Sequence, residues 1–113
     1  MNARSHFDMI SGYLQSAHEV QAGLLYGKPG LLLNGQPFAA YQPEAMAFRM
    51  HGHSLADALA LPGARGWDPL HADRSAPGWV LVPAAHATRW DGLAHEALCE
   101  LFQLDHLLVG DPQ

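Results

Sequence analysis

Gly30–Met50, GLLLNGQPFAAYQPEAMAFRM, reads as three antiparallel strands joined by two tight turns. Asn34-Gly35 supplies two adjacent residues that tolerate positive φ, as a type I′ hairpin turn requires. With those two as the loop, Leu33 faces Gln36 and Leu31 faces Phe38. The second turn falls at Gln42-Pro43-Glu44-Ala45, where Pro43 presets φ at the first central position. This register sets Tyr41 opposite Met46 and Ala39 opposite Phe48. One face of the meander then carries Leu32, Ala39, Tyr41, Met46, Phe48 and Met50. The other carries Leu31, Leu33, Phe38, Ala40 and Ala47, ending in Arg49. Neither face is polar, so both must be covered, by helices or by a second subunit.

Helical periodicity flanks the meander. Phe7, Ile10, Leu14, Ala17, Gln21 and Leu24 recur at helical spacing, widened by Tyr13 and Val20, and predict an amphipathic helix over 5–25. Ser5 with Asp8 three residues on fits its N-terminal cap. The breakers Gly27, Pro29 and Gly30 end it. After Met50, Ser54 with Asp57 opens a short helix containing Leu55, Ala58, Leu59 and Leu61, which Pro62-Gly63 stops. Residues 63–77, GARGWDPLHADRSAP, show no regular period and read as a long ordered loop. Gly78–Pro83 is a fourth strand, with Trp79 and Leu81 on one face and Val80 and Val82 on the other. A closing helix over 88–108 carries a stripe of Trp90, Ala94, Ala97, Leu101, Leu104 and Leu108, with Leu93, Leu98 and Phe102 beside it. The fold class is α+β: a meander plus a fourth strand between N- and C-terminal helices, in a single domain spanning 1–113.

Composition narrows the functional classes. A 113-residue chain with 49% hydrophobic and 15% charged residues is globular and apolar-rich. Its formal charge of −5 argues against strong, sequence-independent nucleic-acid binding. There is no apolar run long enough for a membrane span and no leader-like start, so a cytoplasmic protein without membrane contact is expected. One cysteine, Cys99, excludes an internal disulfide.

The order of motifs resembles the N-terminal domain family of the competence regulator TfoX (Sxy). The matching segments are Leu25-Tyr26-Gly27-Lys28-Pro29, Asn34-Gly35-Gln36-Pro37-Phe38-Ala39 and Ala47-Phe48-Arg49-Met50. Pro62-Gly63-Ala64, Trp67-Asp68-Pro69-Leu70 and Trp79-Val80-Leu81-Val82-Pro83 complete the set, over roughly residues 20–105. The YjbR-like family shares the outline. The family lysine of the third motif is Arg49 here, and Arg74 is the only basic residue in the loop before Trp79. The resemblance implies a non-enzymatic regulatory or interaction domain working through a protein partner, without a cofactor. For TfoX it implies an association with competence gene regulation, and for YjbR-like members a DNA-binding role.

Two alternatives come from the residues themselves. Lys28, Arg49 and Arg74 could form a modest nucleic-acid or partner contact if the loops converge, but solvated basic residues scattered over the surface are the favoured reading. His51 and His53, spaced i, i+2 in an extended segment, could share a metal ion or bind a small ligand. His71, Asp68 or Asp73 would supply a third ligand. Without a second paired motif, a polar helix start is the favoured reading of that pair. His95 and Cys99 lie i, i+4 on the closing helix, with Cys99 expected as a small core residue and not as a nucleophile. The three tryptophans are expected as core and interface mass with locally satisfied indole N–H groups. No catalytic motif occurs. The face of the meander that two helices leave open could be covered by the 63–77 loop with Trp67 and Leu70, in a monomer, or by a second copy. A homodimer burying that face is the favoured assembly.

Overall fold

A computed structural model describes residues 2–70 and 76–109, with the side chains of 76, 77 and 104–109 excepted. Its elements are α1 (Ala3–Ala17), β1 (Val20–Leu25), β2 (Lys28–Leu33), β3 (Gln36–Gln42) and β4 (Ala45–Arg49). There follow α2 (Gly52–Leu59), β5 (Arg65–Trp67), β6 (Ala76–Pro83), a 3-10 turn (Ala84–His86) and α3 (Ala87–Val109). Among the described residues, the six strands form one antiparallel sheet in the order β1-β2-β3-β4-β6-β5. The fold is α+β, with the terminal helices flanking the sheet.

The helix expected over 5–25 ends at Ala17, where His18 is extended at φ −140°. Residues 20–25 are instead a strand. VQAGLL fits a period of 2 as well as it fits 3.6, and its neighbours decide between them. Tyr26 at φ 50° and Gly27 at φ 84° make a two-residue loop that sets Leu25 against Lys28. Two positive φ values are the type I′ requirement, met here without asparagine. The helix cap also differs: Asn2, and not Ser5, is the N-cap, and its side-chain oxygen accepts the Ser5 N–H.

In the meander, Leu33 pairs with Gln36 around Asn34-Gly35, Tyr41 with Met46 and Ala39 with Phe48, as the spacing predicts. Leu31, however, faces Ala39 and not Phe38, because the β2–β3 register shifts between Leu31 and Leu32. Leu32 faces Pro37, which leaves Phe38 as the extra residue of a bulge. A single extra residue inverts a period-2 pattern. Leu31, Leu33 and Phe38 therefore join Ala39, Met46, Phe48, Val80 and Val82 on the helix-covered face. Phe7, Ile10 and Leu14 of α1 and Trp90, Ala94, Ala97 and Leu101 of α3 cover them.

The opposite face is left with small residues. Ala40, Ala45 and Ala47 sit with Trp67, Trp79 and Leu81, and all six are buried. Trp67 comes from β5, a strand inside the expected 63–77 loop, and meets Trp79 edge-to-face at a centroid distance of 5.2 Å. Such a pair adds about 1 kcal/mol beyond the area it buries. The chain thus closes this face by itself with Trp67, and the face does not require a second copy to cover it. Leu70, from the same loop, stays exposed. The indole N–H groups of Trp67 and Trp90 are buried without an acceptor among the described residues, contrary to the expectation of local partners.

Candidate functional site

Burial of one stripe on each terminal helix leaves the flanking side chains facing a shared groove. His6, Met9 and Tyr13 stand at helical spacing on α1, and Thr88, Asp91 and His95 on α3. Together with Ile10 and Ala87 they line a cavity of about 510 Å³. His6 meets Trp90 at ring centroids 6.3 Å apart, and His18 meets His95 at 5.8 Å, so the two helices run in the same general direction. Past His95 a second cavity of about 510 Å³ opens, lined by His18, Glu19, Leu33, Asn34, Leu98, Cys99, Phe102 and Gln103. His95 borders both. Met9, Tyr13 and Phe102 are 54%, 58% and 59% exposed, an unusual concentration of large apolar side chains along one groove.

Cys99 is exposed at this groove and is not a core residue. Position 99 falls just outside the α3 stripe whose neighbours Ala97, Leu98 and Leu101 are buried. Phe102, also expected beside the stripe, faces out for the same reason. The imidazoles, the thiol, Glu19 and Asp91 thus stand among apolar side chains along the groove.

The other expected sites are dispersed. His51 caps α2, while Gly52 and His53 already belong to that helix. The extended i, i+2 geometry that would aim both imidazoles one way is therefore absent. The His51 N–H donates to Glu100 Oε1 at 2.9 Å, with His51 Nε2 at 3.7 Å from the same oxygen. The Ser54 hydroxyl is hydrogen-bonded to the other Glu100 oxygen. Glu100, from α3, thus caps α2, whose own residues offer no side-chain cap. Asp68 accepts the Leu70 N–H within its loop at 2.9 Å. His71 and Asp73 lie outside the described residues. Among the described residues, no three His, Cys, Asp or Glu side chains are arranged to hold a metal ion.

Lys28 opens β2 and Arg49 closes β4, strands that flank β3 and run the same way. Lys28 sits at the sheet end where Gln42 meets Ala45, whereas Arg49 pairs with Trp79 at the other. The separation is about four residues, or roughly 13 Å along the strands. The structure does not bring these two together, and Arg74 lies outside the described residues.

Sequence reasoning missed Glu100 and the groove. Glu100 meets its partners 46 and 49 residues away, beyond any local motif. The groove depends on α1 and α3 lying side by side. Comparisons with family models, with curated proteins and with solved structures return no match. Among the described residues, no helix is long and apolar enough to cross a membrane.

Proposed function

We propose that this chain is a non-enzymatic interaction domain of the TfoX N-terminal type, acting in the cytoplasm through a protein partner. That partner docks an apolar helix or anchor residue into the groove between α1 and α3. The observation that carries the reading is the exposure of Met9 and Tyr13, each more than half accessible while lining the same cavity. Large amphipathic side chains of this kind are what helix-in-groove recognition uses. The regulatory role implied by the TfoX resemblance agrees with it in kind. A nucleic-acid role draws less support, because Lys28 and Arg49 stand at opposite ends of the sheet in a chain of charge −5.

Site-specific photocrosslinking tests the reading. A benzophenone side chain at position 13 is expected to trap one discrete protein in cells of the source organism. The same group at Asp57, exposed on α2, should not. Identical adduct patterns at both positions, or none at position 13, contradict it.

A further inference from the structure

The geometry points to β1 as a strand-addition edge, and we propose that its occupant is β1 of a second copy, paired antiparallel about a two-fold axis at Ala22. This edge adjoins the second cavity at His18, Glu19 and Leu33 but includes neither Met9 nor Tyr13, so its failure would leave the groove reading intact.

Among the described residues, β1 is one edge of the sheet, with β2 as its only neighbour. Its hydrogen-bonding phase follows from the turn. Leu25 and Lys28 flank a two-residue loop and form a hydrogen-bonded pair. Alternation then turns the backbone groups of Leu25, Gly23 and Gln21 toward β2, and those of Val20, Ala22 and Leu24 outward. Pro29 fits this phase, since it faces Leu24, where β1 asks for no donor. The outward row is free of the usual guards: residues 20–25 are VQAGLL, with no charge and no proline. Gln21, Ala22, Gly23 and Leu24 are all exposed, Leu24 at 73%.

The row is also self-complementary. An axis perpendicular to the sheet through Ala22 sets Ala22 against its own copy and Val20 against Leu24 of the other chain, in both directions. Every outward-facing group then has a partner, giving three hydrogen-bonded pairs. An axis at Gly23 would retain only two such pairs within the strand. On the helix side the exposed Leu24 seats on Val20 of the other copy, and on the far side Gln21 crosses Gly23. None of the six residues is charged, so no like charges meet across the axis. A second copy therefore satisfies the whole strand without any further partner, as an isologous contact must.

Light scattering after gel filtration tests this with the intact chain, through a charge swap at the axis. The wild type is expected to reach twice the 12.3 kDa chain mass as concentration rises into the hundreds of micromolar. Ala22→Glu and Ala22→Lys each place like charges face to face and should weaken dimerisation at least tenfold, with unchanged circular dichroism. An equimolar mixture of the two should recover the dimer. A wild-type mass fixed at 12.3 kDa would overturn the proposal, including the case in which β1 binds only a foreign extended segment. So would a dimer that neither charge weakens, or a loss that mixing fails to rescue. If either variant does not fold, the wild-type amides of Ala22 and Leu24 decide the matter: hydrogen-exchange protection that rises with the dimer supports the β1 contact, and a dimer that leaves them unprotected overturns it.

Discussion

The two edges of the sheet are built in opposite ways. β5 is three residues long, begins with the exposed Arg65 and is bent by a register shift between Gly66 and Trp67. It ends by driving Trp67 fully into the core against Trp79. Short length, charge and a bulge are the devices by which edges resist pairing. β1 is six residues long, uncharged and regular, and four of its residues face solvent. The contrast separates an edge committed to the chain's own core from one left available. It also says where substitutions should hurt the fold and where they should alter only association.

The largest effect is expected at the closed edge. Trp67→Ala empties the centre of the second core and should cost about 3–5 kcal/mol, read as a large fall in the urea midpoint. A loss below about 1 kcal/mol would mean that the alanine face is held by something other than the tryptophan pair. Next comes the support of α2, which leads into β5 and packs on β6. Glu100→Ala removes the acceptor for the His51 N–H and for the Ser54 hydroxyl, and should cost about 1–2 kcal/mol in chemical denaturation. Glu100→Gln, which keeps an acceptor, should cost less. If the two variants are equally stable, the cap is not what holds α2.

On the open side the effects shrink. Gly27→Ala meets no neighbouring atom but must hold φ 84°, so it should cost about 1 kcal/mol through backbone strain alone. Leu24→Lys should change the stability of the single chain by less than about 0.5 kcal/mol, since the side chain is largely in water already. Thermal melts at low concentration check both. A Leu24→Lys variant that unfolds would show that the edge supports the fold and is not spare.

The same contrast explains what was legible in the sequence. The centre of the sheet was, because Asn34-Gly35 and the Tyr41–Met46 and Ala39–Phe48 pairs follow from local turn chemistry and alternation. The edges were not. β1 hides in a stretch whose apolar residues satisfy helix and strand periods alike, and its Tyr26-Gly27 turn lacks the familiar asparagine. β5 is too short to show a period. Phe38 illustrates a third limit: a bulge depends on how two strands meet, yet it moves Leu31, Leu33 and Phe38 to the other face. Of the candidate site, the individual side chains could be named, as with His95 and Cys99. Their placement at a groove opposite His18 required the packing of α1 on α3.

Amide hydrogen exchange along β1, followed by NMR at two protein concentrations, tests the open edge most directly. At low concentration the amides of Gln21, Gly23 and Leu25 should be protected by β2, while those of Ala22 and Leu24 exchange freely. At high concentration Ala22 and Leu24 should gain protection at least tenfold, with the others unchanged. Uniform protection across the strand, or an Ala22 amide indifferent to concentration, would contradict an open edge that pairs with its own copy.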